Sequence, residues 1–266
     1  MAIIPHNDPI DIALNHTNIK SSNRPYLGLS QVGDPCHRRL QLYHYWASSS
    51  DYNNRVQRIF DTGHRSEAFM IDDLAKAGFI VEDSQAEIIG VGGHWKGHVD
   101  GIITSKNMLA EFKTHNDKSF KDVKKLKVKK SKPTHYSQVQ AYMGYLELSS
   151  CLYLAYNKND SEYYYEIIPF DELFFEELKR KQSEIIMSDI LLPRIGNNST
   201  TWHECKMCNV RNVCFNKVEP DVNCRTCSNV DILDGGKWSC GLNNKVLSVK
   251  DQRSACDVYE IGEMFK

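Results

Sequence analysis

"GHVDGIITSKNMLAEFK", residues 97–113, sets Asp100 ahead of one apolar run and a Glu-Phe-Lys triplet at the end of the next, with a Ser-Lys-Asn turn between. Two short apolar runs separated by turn residues read as neighbouring strands. Side chains two apart on a strand share a face, so Glu111 and Lys113 point one way, Phe112 points into the core, and Asp100 sits across from the pair. Two carboxylates converging on one point repel each other unless a divalent cation lies between them, and Mg²⁺ or Mn²⁺ is the natural hard ion. Lys113 beside that ion is placed to hold an attacking water and to offset charge developing on a phosphate, which is the chemistry of phosphodiester hydrolysis. The plainer reading has Asp100 capping a turn and Glu111 and Lys113 forming an ordinary cross-strand ion pair.

The flanking sequence supplies further side chains. Upstream, 55–79 has helical spacing, with Val56, Ile59, Phe60, Ala68, Ile71, Leu74 and Ala75 recurring at i+3 and i+4 and Gly78 ending it. His64 and Glu67 lie near its inward face, and His64 is either a nitrogen ligand for the ion or a packed histidine. Downstream, Gln138 and Tyr142 stand at i and i+4 on the helix read at 134–148, where they reach a DNA backbone or a flipped-out base, or else belong to an ordinary amphipathic helix. "AEIIGVG", "WKGHVDGII" and "MLAEFKTH" read as an antiparallel meander. With a helix before it, and helix, two strands and a long helix at 170–191 after it, the order is α-β-β-β-α-β-β-α.

Formal net charge is −1, but residues 118–132 alone carry +7, leaving an acidic body with one basic patch. That stretch reads as a cationic loop beside the catalytic strand, with Lys124, Lys125 and Lys127 on DNA phosphates; its alternative is a solvated loop. With 41% hydrophobic residues the chain has enough apolar surface for a core. The opening residues lack the basic-then-apolar pattern of an export signal, so a cytoplasmic location is expected, in a bacterium or in the host of a phage.

Nine cysteines in such a chain suggest metal thiolates rather than disulfides. Cys205, Cys208 and Cys214 form a C-x2-C-x5-C run that needs a fourth ligand, for which Cys36 is the candidate. Thiolate spacing leaves zinc and iron-sulfur open here, as it does a scheme in which Cys36 is a buried thiol and the other three pair with the later cysteines. Cys224, Cys227, Cys240 and Cys256 resemble a four-cysteine zinc knuckle or ribbon, with His203 a lesser candidate ligand for either set. Cys151, opening an apolar strand, reads as an inert buried thiol.

"GH" at 63–64, "GHVDG" at 97–101, "EFK" at 111–113 and "QVQAY" at 138–142 occur in the order of the RecB-like branch of the PD-(D/E)xK nucleases, which the chain resembles over roughly 26–216. The resemblance implies that His64, Asp100, Glu111 and the Phe112 carbonyl bind the catalytic metal, that Lys113 assists the water, and that Gln138 and Tyr142 touch DNA. Cys36 before the core and three cysteines after it resemble the 4Fe-4S staple of CRISPR-associated RecB-like and AddB-type exonucleases. "KPTHYSQVQAYMGY" is similar to phage-encoded nucleases of this class, which implies a single-strand annealing protein as partner.

The expectation is therefore an α/β (α+β) fold with a PD-(D/E)xK restriction-endonuclease-like core, a central mixed sheet flanked by helices, and a cysteine-rich, metal-bound C-terminal region. The segments are an N-terminal stretch 1–25, the nuclease domain 26–216 and a zinc-binding module 217–266. The expected activity is Mg²⁺- or Mn²⁺-dependent DNA exonuclease, in recombination or repair, leaving 5′-phosphate and 3′-hydroxyl ends. A catalytically silent nucleic-acid-binding protein on the same scaffold is the alternative. A redox protein fits poorly, because no flavin or nucleotide motif is present.

Overall fold

The structure, a computed structural model, describes residues 8–16, 18–19, 23–49 and 52–266; parts of the N-terminal stretch 1–25 lie outside them. Its central sheet is mixed: β4 (Gly101–Ile103) runs antiparallel to β5 (Met108–His115), which runs parallel to β6 (Ser150–Asn157), which runs antiparallel to β7 (Tyr163–Pro169). Among the described residues no helix is long and apolar enough to cross a membrane.

Alternation along β5 decides what covers each face. Ala110 and Phe112 meet Met70 and Leu74 of helix α2 (Asn54–Lys76), while Leu109 lies in the larger core with Phe120 and Val123 of α3 (Asp117–Ser131) and Val139 and Tyr142 of α4 (Pro133–Leu146). The sheet is thus sandwiched between α2 and the α3–α4 pair, and Glu111 and Lys113 belong to the α4 side. Asn53 caps α2 by accepting the Val56 N–H at 3.2 Å, and Gly78, at φ 87°, ends the turn after it.

Two expectations change. "WKGHVDGII" is not one strand: β3 (Trp95–His98) pairs with β2 (Glu87–Ile89) and with the two-residue strand β1 (Leu27–Gly28) in a separate sheet, and the chain breaks before β4. The break frees Asp100 from the ladder, and its carboxylate instead accepts the Phe112 N–H at 2.8 Å. Gly101 follows because a Cβ there would lie 2.1 Å from Val81. The lysine stretch, expected as a loop, is the helix α3. Asn116 caps it, Asp117 pairs with Lys121 at 2.7 Å, and Phe120, Val123 and Val128 give it a buried stripe.

Helix α1 (His37–His44) and α5 (Glu172–Met187) pack together behind this core. Cys36 caps α1: its Sγ accepts the Arg39 N–H at 3.4 Å. The C-terminal region carries a three-stranded antiparallel meander, β8 (Val230–Leu233), β9 (Lys237–Cys240) and β10 (Lys245–Leu247). Its Trp238 and Leu247 bury themselves against Tyr45 at the end of α1.

Candidate active site

Register carries Asp100 to Glu111. Gly101 pairs with Ala110, so the residue before β4 faces Glu111 on β5. Glu111 is 0% exposed. Its Oε1 accepts the Gln138 amide at 2.8 Å and pairs with the Lys113 ammonium, while Oε2 is buried with no hydrogen-bond partner. A buried carboxylate oxygen left bare is costly, so the site is built to meet another positive group there. Burial, then the negative charge of Asp100, push the Glu111 carboxyl up to about 7 in spite of Lys113. Burial disfavours the Lys113 charge, but Glu111 and Asp100 outweigh it and hold the ammonium protonated well above its ordinary range.

Helix α2 brings His64 and Glu67 to the same place. Both line an open cleft of about 1130 Å³ together with Phe112, Lys113, Arg24 and Gln31. Glu67, half-buried, has its carboxyl raised by desolvation and by Asp100, with His64 and Lys113 pulling the other way. It stood beside His64 in the helical pattern but was given no role, although one turn of helix separates the two. Ile59 and Phe60, expected inward, are half exposed and line this cleft.

Gln138 and Tyr142 are placed as parts of the wall. They are 6% and 2% exposed, Gln138 spends its amide on Glu111, and the Tyr142 ring packs into the main core. Gly97 is required beneath it, since a Cβ there would stand 2.7 Å from the Tyr142 hydroxyl. Phe112 puts its ring in the α2-side core and its N–H on Asp100. Of the lysines, Lys124 pairs with Glu162, whereas Lys125 and Lys127 line a separate open groove with Tyr136 and Leu173. Lys127 adopts φ 62°, breaking the helix there.

A buried network beside β5 has no counterpart in the sequence motifs. The Tyr153 hydroxyl lies 3.1 Å from His115 Nε2 and 2.8 Å from His135 Nδ1, and Ser119 Oγ reaches His115 Nδ1 at 3.1 Å. Burial first, then Lys132 and Lys113, lower His115 to about 4, and burial with Lys113 lowers His135 to about 3. Both rings are held neutral, and the cations that line this end of the cleft are Lys113 and Lys132.

The cysteines converge as two sets. Among the described residues no three His, Cys, Asp or Glu side chains are drawn into a metal-holding group, so a bound metal is not shown. Even so, Cys36, Cys205, Cys208 and Cys214 line one small cavity, and Cys224, Cys227, Cys240 and Cys256 line another; His203 lines neither. All are free thiols. Around the first cavity Asp34 accepts the Cys36 N–H at 2.8 Å and the Arg39 Nε at 2.6 Å, and Arg194 donates to the Cys214 carbonyl at 2.9 Å. Burial lifts the Cys36 thiol, so thiolates gathered there need a cation. Cys151 is fully buried in the main core.

No protein-family model matches the chain, and no curated protein does. Solved structures that it is similar to include an alkaline exonuclease, LHK-Exo, from Laribacter hongkongensis (18% identity, TM-score 0.47, covering 62% of this chain and 88% of that one). A phage-related exonuclease from Haemophilus somnus 129PT is another, at 14% identity and TM-score 0.46, covering 60% and 91%. A third, SSO0001, is 21% identical with TM-score 0.43, covering 75% and 89%. Likeness this distant says nothing of the chain's own chemistry, which is carried by its site.

Proposed function

We propose that this protein is a divalent-metal-dependent DNA exonuclease of the PD-(D/E)xK type, acting in DNA recombination or repair. One observation carries the reading: the unpartnered, buried Glu111 Oε2 beside Asp100 and Lys113, at a cleft that also presents His64 and Glu67. These residues fit Mg²⁺ or Mn²⁺, since a hard ion takes carboxylate, imidazole and carbonyl donors and would satisfy the bare oxygen. Asp100, Glu111, His64 and the Phe112 carbonyl would hold the ion, with Glu67 as a further carboxylate. When bound, the ion supplies a lowered pKa for water and charge stabilisation at the phosphate.

The chain's own residues do the rest. Lys113, kept protonated, orients the attacking water and faces the charge that develops on the phosphoryl oxygens. Gln138 fixes the Glu111 rotamer, so the free oxygen keeps its direction. Tyr142 acts at DNA only through this wall, because its ring is buried. Lys125 and Lys127 extend the phosphate-binding surface along α3.

For the thiols we propose a 4Fe-4S cluster at Cys36, Cys205, Cys208 and Cys214, with zinc as the alternative, and zinc at Cys224, Cys227, Cys240 and Cys256. Convergence of four thiols on each cavity supports both. Iron, acid-labile sulfide and zinc analysis of anaerobically purified protein distinguishes the assignments. The nuclease reading is tested on linear DNA labelled at either end beside closed circular DNA. Shortening of the linear substrate with the circle untouched supports an exonuclease; cutting of the circle would make the enzyme an endonuclease.

A further inference from the structure

The CRTC turn of the C-terminal module carries Arg225 between Cys224 and Cys227, and this arginine is 1% exposed. Among the described residues no carboxylate pairs with it. Its guanidinium lies 3.8 Å over the Trp46 ring and 4.6 Å over Trp238, and it donates to the Gln252 side chain at 2.7 Å, the His44 carbonyl at 2.7 Å and the Pro25 carbonyl at 2.8 Å. The next two carbonyls upstream are held as well. Trp46 Nε1 donates to Arg24 O at 2.7 Å, and Arg253, itself 4.8 Å over the Trp46 ring, donates to Asn23 O at 2.9 Å. Three successive backbone carbonyls, 23 to 25, are therefore pinned by the module or by the tryptophan it sandwiches.

The segment so clamped matters because of where its side chain goes. Arg24 is exposed and lines the catalytic cleft with Gln31, His64 and Lys113. Among the described residues no carboxylate pairs with this long side chain, which lies three residues before the start of β1 at Leu27. A guanidinium at a cleft that also holds Lys113 is suited to a phosphate oxygen of a nucleic-acid strand.

We propose that the C-terminal cysteine module is a positioning device for the catalytic cleft: through Arg225 and Arg253 it fixes the backbone of residues 23–25 and so aims Arg24 at a phosphate of the bound strand. Arg24 is the contact; Arg225 and Arg253 are positioning residues. Metal at Cys224 and Cys227 would shape the turn that presents Arg225, which couples the module's metal content to strand binding some way from the thiols. Identification of the ligand as a nucleic-acid phosphate rests on the nuclease reading; the clamp itself does not.

The test uses the full chain in two readouts. Binding of a fluorescein-labelled linear DNA duplex, with Ca²⁺ in place of Mg²⁺, is measured against salt for Arg24→Ala, Arg225→Gln and the double variant. Arg24→Ala should weaken binding several-fold and shorten the salt slope by about one phosphate contact. Arg225→Gln should do the same, and the double variant should be no worse than either single one. A double variant whose losses multiply, or a folded Arg225→Gln protein that binds like wild type, overturns the proposal. Amide exchange of residues 23–28 is the second readout and needs no DNA: it should quicken in Arg225→Gln, and unchanged protection there overturns the clamp. If Arg225→Gln does not fold, the exposed Arg253→Gln carries both measurements with smaller changes in the same direction. Clamp loss seen by exchange in a protein that binds no DNA would leave the device standing and sink the phosphate and the nuclease reading together.

Discussion

The cleft and the first cysteine cavity both gather groups of like charge, and they deal with it differently. At the cleft the chain brings its own cation: Lys113 pairs with Glu111, Gln138 takes part of the same oxygen, and one carboxylate oxygen is left over. At the cysteines four thiols close on a cavity whose three arginines, Arg39, Arg194 and Arg211, bond through their side chains to Asp34 and to backbone carbonyls rather than to sulfur. A site with an internal counter-charge can give up its ion and keep its fold. Four thiols to which no charged side chain among the described residues donates a hydrogen bond cannot do so as easily, because a metal between Cys36 and Cys205, Cys208 and Cys214 would be their counter-charge.

The contrast is open to direct attack. Cys208→Ser should cost roughly 3 kcal/mol or more and lower the melting temperature by about 10 °C, with loss of bound metal, because it removes a tie between the two ends of the core. A Cys208→Ser protein as stable as wild type would show that the cavity is only a packed thiol cluster. Glu111→Gln, by contrast, should reduce DNA cleavage by about 10²- to 10³-fold while the melting temperature stays within a few degrees, since the amide keeps the shape and relieves a buried charge.

A smaller effect separates the cleft further from the thiols. His115 and His135 are held neutral by burial, with folded values near 4 and 3 against about 6.5 when unfolded. Because the unfolded chain binds those protons more readily, stability is full above pH 6.5 and falls as pH drops towards 4. Denaturant melts across that range should show the loss, and His135→Gln should flatten it. Smallest of all, alanine at Lys125 and Lys127 should weaken DNA binding a few-fold and reduce its salt dependence by up to about two phosphate contacts, without changing the rate at saturating DNA.

Some of this was legible before any fold was known. Strand alternation and a short turn suffice to bring Asp100, Glu111 and Lys113 together, because a period of two leaves little freedom. The capping and buried stripe of α3 are hidden in the sequence because its seven lysines mask three apolar positions, Phe120, Val123 and Val128, that suffice once α4 covers them. Gln138 reads as a surface residue by type, and only tertiary packing shows its amide spent on Glu111. Arg225 was invisible for the same reason: nothing in "CRTC" says that a guanidinium will be sandwiched between two tryptophans that lie far apart in sequence. Spacing divides the cysteines into the same two groups that line the two cavities, while the identity of what they bind is not written in spacing.

The most direct measurement is cleavage of linear duplex DNA by protein gel-filtered into Mg²⁺-free buffer, a step that leaves thiolate-held metal in place, before and after Mg²⁺ is restored, with the circular dichroism spectrum followed alongside. An exchangeable ion at the cleft predicts no cleavage in the Mg²⁺-free buffer, an unchanged spectrum, and full activity on adding Mg²⁺. Cleavage that persists without Mg²⁺, or that Mg²⁺ fails to restore in a still-folded protein, would contradict the account.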